Sequence, residues 1–170
     1  MPNGRPAADY GRRVDSGTTP ERAQLESFVE EQRAEILALL DGLTEEQARR
    51  RLVASRTTLL ALVKHCAFVE RVWFEATLSG RPRAELGLPA SVDDSFVLVE
   101  EDTVDSVAAE YRAAWATAKE IAARHALDDV AEHPRLGTVS LRWIYLHLVR
   151  ELARHAGHGD ILREQILAVR

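Results

Sequence analysis

A second cysteine is missing: Cys66 is the only one in the 170 residues, so no internal disulfide can form and the fold must be held by its core. A chain of this length buries roughly two thirds of its unfolded surface, which suffices for one domain. The N-terminal stretch MPNGRPAADYGRRVDSGTT lacks an apolar run that could act as signal or membrane span, so a cytoplasmic protein with no membrane partner is expected. A basic excess is missing too. Lys and Arg number 22 against 27 Asp and Glu, a net charge of -5, and this argues against a nucleic-acid partner although Arg49, Arg50 and Arg51 run together. That run is expected to be a solvated helix end. Lysine is nearly absent, with only Lys64 and Lys119.

Helical periodicity is abundant. Residues 1–17 are rich in Gly, Pro, Arg and Asp without a period, and are expected to form an N-terminal arm, either disordered or laid over the domain. The domain itself then spans 18–170. Thr18, Thr19, Pro20 and Glu21 supply an N-cap, a first-turn proline and an acid for a first helix, whose apolar stripe is Leu25, Phe28, Val29, Ile36, Leu39, Leu40 and Leu43. Thr44 to Gln47 is a capping box for a short piece ending in the arginines. A second long helix is expected from about Arg56 to Ser79, stopped by Gly80 and Pro82, with Leu59, Leu62, Val63, Cys66, Val69, Trp73 and Ala76 inward. Residues 81–101 carry no sustained period and form either a functional lid or a crossover; extended, they reach about 60 Å, well beyond the ~36 Å of a 24-residue helix. Glu100, Glu101, Asp102 and Thr103 open a third helix with the stripe Val104, Val107, Ala108, Tyr111, Ala114, Trp115, Ala118, Ile121 and Ala122. His125 at its end and His133 in the following loop are expected to be bland, and Ser140 caps the fourth helix. No strand pattern stands out. The expected fold class is therefore all-α, a four-helix bundle, with the long crossover between helices 2 and 3 giving an up-down-down-up order.

The chemistry concentrates on helix 4, SLRWIYLHLVRELARHAGHGDIL. With Leu148 at the centre of the inward face and 100° per residue, Leu141, Ile144, Leu152 and Leu162 fall within about 40° of it. His155 lies about 20° off, Glu151 about 60°, His158 about 80° and His147 about 100°, so one carboxylate and three imidazoles line one edge of the stripe. Burying a lone carboxylate costs several kcal/mol and calls for a partner, which a metal ion would supply. On helix 2, His65 occupies a matching position beside the apolar stripe. Cys66 points about 100° away and is expected to be a small core residue. In antiparallel helices His65 can meet Glu151 and His155 at one height. Two imidazoles and a carboxylate leave coordination positions open, as in catalytic zinc or a non-haem divalent centre. The pairs His147 with Glu151, or Glu151 with His158, fit the helix 4 half as well, and a hydrogen-bonded seam without metal is the alternative. Trp143 points away from the stripe, which suggests cover by the N-terminal arm or a second subunit. Trp73, Phe74 and Trp115 have the spacing of ordinary core, though they would also serve as a pocket lining.

GLTEEQARRR from Gly42, LVKHCAFVERVWF from Leu62 and LRWIYLHLVRELARHAGHGDILRE from Leu141 together resemble the DinB superfamily, nearest to its branch of mycothiol S-transferases. The resemblance covers the chain from about residue 20 to its end. It implies the same up-down-down-up bundle, a divalent metal (zinc, with nickel or iron as alternatives) held by His65, Glu151 and His155, and often a homodimer. His158 falls where many relatives have glutamine just past the last ligand, which puts it beside the metal or in the pocket. The implied activity is transfer of mycothiol or a similar small thiol, as cosubstrate, to an electrophilic small molecule for detoxification, with His158 or His147 moving a proton. Two other readings stay open: a metal-dependent isomerase or hydrolase of the same superfamily, and a non-catalytic bundle that binds a ligand or a protein.

Overall fold

The computed structural model describes residues 19–168, and the expected N-terminal arm lies outside them. The chain is mostly helical: α1 Glu21–Ala38, a short α2 Glu45–Arg49, α3 Leu59–Glu70, α4 Val104–Ala122 and α5 Leu141–Ala168. Helix starts follow the side chains able to accept from free backbone N–H groups. Thr44 and Thr103 close capping boxes with Gln47 and Ser106, Thr58 accepts from Ala61 N–H, and Ser140 accepts from Trp143 N–H. α1 departs from this rule: Pro20 is itself the N-cap residue and provides no side-chain acceptor, so the expected first-turn proline sits one step outside the helix. The helix also ends at Ala38, before Leu43, in turns closed by Leu39, Leu40 and Asp41 N–H groups. Arg163 of α5 donates to the Leu39 and Asp41 carbonyls at 2.9 and 2.6 Å and so meets the acceptors that α1 leaves over. At Gly159 an added Cβ would lie 2.3 Å from a methyl of fully buried Leu39, so only glycine lets α5 approach this turn.

Three further expectations are corrected. The second helix changes character at Arg71: residues Arg71–Leu78 are π-helical, with Ser79 N–H reaching back five residues to Phe74 O. Phe28, placed in the buried stripe, is 48% exposed. The connection after α4 is no plain loop, because Val130–His133 (β1) and Gly137–Ser140 (β2) pair antiparallel, Val130 with Ser140 and His133 with Gly137. Gly137 closes the three-residue turn with φ 72°, the left-handed conformation that this hairpin type requires. Four-residue strands are too short for alternation to show against helical background, which hid them in the sequence.

The core has two apolar clusters. One joins Leu25, Val29, Phe68, Trp73, Phe74, Ala118, Leu141, Ile144 and Leu148; the other joins Ile36, Leu39, Leu59, Leu62, Val63, Cys66, Tyr111, Leu152, Leu162 and Ile166. Along α1 and α5 the chain passes from the first cluster to the second, and along α3 and α4 from the second to the first. Arg33 lies between Val29 and Ile36, Glu151 between Leu148 and Leu152, so polar side chains are inserted near the junction. Arg33 donates to both Glu70 oxygens at 2.6 Å and to Glu30 at 2.9 Å, and its guanidinium faces the Phe74 and Trp115 rings.

The long link 79–103 is pinned along its length. Arg71 donates to Leu86 O at 2.8 Å, Lys64 pairs with Asp102 at 2.7 Å, and Arg49 donates to the carbonyls of Val99 and Asp102. Arg49 is thus a clamp on the link, whereas Arg50 and Arg51 are exposed as expected. Midway, a single 3-10 turn at Asp94–Phe96 packs on α3.

Candidate metal centre

Glu151 and His155 stand one turn apart on the edge of the α5 stripe, and α3 presents His65 to them. His65 is 2% exposed, while the Glu151 and His155 side chains keep 22% and 13% of their surface. His155 Nε2 lies 3.2 Å from Glu151 Oε1, and the His65 and His155 rings meet edge to face with centroids 4.8 Å apart. One ligand atom from each of the three residues can be chosen so that all lie within 4.8 Å of one another. Two bonds of ~2.1 Å to one ion span at most ~4.2 Å, and tetrahedral neighbours lie ~3.4 Å apart. The Glu151–His155 separation already suits a shared ion, and a contraction of about half an ångström would bring in the widest pair. Among the described residues this is the group of His, Cys, Asp and Glu side chains able to hold a metal.

The link explains how His65 is aimed. Ser95 is buried, and its Oγ donates to Val92 O at 2.5 Å and lies 2.7 Å from His65 Nδ1. With its one proton committed to the carbonyl, the hydroxyl can only accept from the ring. His65 is therefore the Nδ1–H tautomer, and its Nε2 carries the free lone pair that a metal ligand needs. Phe96 stacks on the same ring at 4.1 Å and 15°, fixing its plane. His155 has no such support: its Nδ1 is buried without a hydrogen-bond partner. Sequence reasoning missed Ser95 and Phe96, because a link without periodicity gives no sign of what it faces.

Electrostatics favours the ligand protonation state at two of the three residues, His65 and Glu151. Burial, with some repulsion from His155, lowers the His65 pKa from 6.5 to about 4, so the ring is neutral at pH 7. The hydrogen bond from His155 holds the Glu151 carboxyl down at about 2, and it is ionised. Neutral imidazoles and a carboxylate are the forms that bind a divalent cation. Cys66 is fully buried, and burial pushes its thiol well above the ordinary range, so it stays in the core as expected.

Comparison with known families decides the relationship: the Mycothiol-S-transferase family profile matches residues 24–168. The chain belongs to that family. The mycothiol-S-transferase family is part of the DinB-like superfamily, so the resemblance of the helix 2 and helix 4 motifs holds. No curated protein matches the sequence.

In this mycothiol-S-transferase family member the remaining histidines have separate places. His158 is exposed, its ring 6.1 Å from that of His155, at the rim of the group. His147 sits one turn before Glu151 in an aromatic cluster, stacked on Trp143 at 5.1 Å and tilted against Trp73 at 4.7 Å, and accepts at Nδ1 from Arg150 at 3.0 Å. His133, at the end of β1, stacks on Trp73 with ring centroids 4.9 Å apart. Trp143 is thus half-buried against Trp73 and His147 of its own chain. A cavity of about 350 Å³ between α1, α4 and the π-helical turn is lined by Glu26, Glu30, Arg33, Phe74 and Tyr145 among others, but its acids are engaged: Glu30 with Arg33, Trp115 and Lys119, Glu26 with Arg22 and Tyr145. No helix among the described residues is long and apolar enough to cross a membrane.

Proposed function

We propose that this protein is a divalent-metal-dependent thiol transferase joining mycothiol, or a similar small thiol, to electrophilic compounds in detoxification. The observation that carries the reading is the convergence of His65, Glu151 and His155 in a chain of the mycothiol-S-transferase family. The donor set is that of open zinc sites and of non-haem divalent centres, so zinc is favoured, with nickel or iron as alternatives. A bound ion would supply Lewis acidity that lowers the pKa of a thiol. A free thiol of pKa ~8.5 is about 3% ionised at pH 7, so complete ionisation is worth at most ~30-fold, or ~2 kcal/mol. Most of the acceleration must come from holding thiol and electrophile together. His158, exposed at the rim, accepts the thiol proton and passes it to solvent, while the sulfur pair forms the bond to the electrophilic carbon and that carbon's bond to its leaving group breaks, the group departing with the electron pair. His147, held by Trp73 and Trp143, forms the pocket wall.

The same reading takes residues 18–170 as one DinB-like bundle in up-down-down-up order, supported by the opposite passage of α1 and α5, against α3 and α4, between the two apolar clusters. A homodimer belongs to this reading as a family expectation. The test is conjugation of mycothiol to a panel of electrophiles by metal-loaded protein. Rates above the uncatalysed reaction, lost in Glu151→Ala, are expected. Hydrolysis or isomerisation of the electrophile without uptake of thiol would turn the assignment to the isomerase or hydrolase alternative, and binding without turnover to a non-catalytic bundle.

A further inference from the structure

Phe96 belongs to two environments. Its ring stacks on His65, and the residue also lines a surface cleft of about 440 Å³ together with Ser55, Arg56, Thr57 and Asp93. The volume lies in the range of small-molecule sites, roughly 300–1,000 Å³. Its lining is unusual for an apolar ligand: one aromatic ring, two hydroxyls, a guanidinium and a carboxylate, and no aliphatic side chain. One charge of each sign also gives no net attraction for an anion or a cation. Such a set offers side-by-side donors and acceptors for hydroxyl groups, with a ring to cover the C–H face of a sugar. The charged part of that capacity is largely uncommitted among the described residues. Ser55 Oγ donates to Thr57 Oγ1 at 3.0 Å and accepts from the Thr57 N–H at 3.4 Å, whereas Arg56 makes one long contact to the Asp93 carbonyl at 3.5 Å and neither charged group is in an ion pair.

The cleft lies at the start of α3, and His65 follows the cap Thr58 by seven residues, about 10 Å of helix. Mycothiol carries its sulfur on an acetylated cysteine in amide linkage to an amino sugar, which is glycosidically joined to a cyclitol. Everything beyond the cysteine is neutral and polyhydroxylated. We propose that this cleft holds the sugar–cyclitol portion of the thiol cosubstrate and sets its sulfur toward His65, Glu151 and His155. The proposal rests on the transferase reading and selects among thiols within it.

The test compares mycothiol with N-acetylcysteine amide, the same neutral thiol without the sugars, against one alkylating electrophile and full-length metal-loaded protein. Wild type is expected to prefer mycothiol in kcat/KM. In Arg56→Ala and Asp93→Ala the ratio between the two thiols is expected to fall about tenfold, the worth of one hydrogen bond to a charged group. An unchanged ratio, or a wild type indifferent to the sugars, overturns the proposal. If neither thiol is conjugated, the transferase reading falls, and the cleft is judged alone by titrating thiol-free N-acetylglucosaminyl-inositol, in which the sugar nitrogen stays a neutral amide, into ¹⁵N-labelled protein. Shifts of the Ser55, Arg56, Thr57 and Asp93 amides support sugar binding there, and their absence overturns it.

Discussion

Arg33 with Glu70, and His65 with Glu151 and His155, are two polar groups set into one core, and they differ in what they leave unsatisfied. The Arg33–Glu70 pair is closed: two bonds of 2.6 Å use both carboxylate oxygens, a third donor goes to Glu30, and two aromatic rings cover the guanidinium. Burial pushes the Glu70 carboxyl up against the pull of Arg33; it also opposes the charge on Arg33, yet Glu70 keeps the guanidinium above its ordinary range. The histidine–glutamate group is open, with a free Nε2 on His65, an unpartnered Nδ1 on His155 and some solvent access at Glu151. Burial of charge alone does not mark a functional site. A polar group whose partners are complete is architecture, and one with aligned but uncommitted lone pairs is chemistry.

The largest expected effect breaks the closed group. Glu70→Ala leaves a buried guanidinium uncompensated and should lower unfolding free energy by about 3–5 kcal/mol in denaturant titration, whereas the double replacement Arg33→Met with Glu70→Leu should come much nearer to wild type. Glu151→Gln in the open group should cost the metal-free protein only about 1.5–3 kcal/mol, the worth of one hydrogen bond to a charged group, while abolishing metal binding. If Glu151→Gln were as damaging to the fold as Glu70→Ala, the distinction between the groups would collapse.

Acid sharpens the contrast next. His65 has a folded pKa near 4 and an ordinary value of 6.5, so as pH falls the unfolded chain takes up this proton first and stability is lost. The loss in metal-free protein should begin near pH 6.5, end near pH 4 and amount to about 3 kcal/mol, and His65→Gln should flatten that part of the profile. Ser95→Ala has a smaller effect. It should reduce metal affinity by about 10- to 100-fold, and ¹⁵N spectra of metal-free protein should show His65 leaving the single Nδ1–H tautomer. An unaltered tautomer would mean that the link does not aim the ring.

The sequence made the helices legible because apolar stripes and caps such as Thr103 with Ser106 act locally, and it made Glu151 and His155 legible because a four-residue spacing on a stripe edge is visible without a fold. Arg33 and Glu70 were within reach as well: each occupies a core position in its stripe, Arg33 four residues after Val29 and Glu70 four after Cys66, with opposite charges. Ser95 was not, since only the return path of the link brings it to His65. The π-helical turn and the hairpin escaped for related reasons. A fifth-residue hydrogen bond leaves apolar spacing almost unchanged over eight residues, and four-residue strands hold too few alternations to stand out.

The central claim is that the open group holds one ion, and metal stoichiometry by elemental analysis of untagged protein tests it most directly. One ion per chain is predicted in wild type and in the Arg33→Met, Glu70→Leu double variant, and none in His65→Ala or Glu151→Ala. Wild type that takes up no ion after incubation with zinc, nickel and ferrous iron would contradict the account.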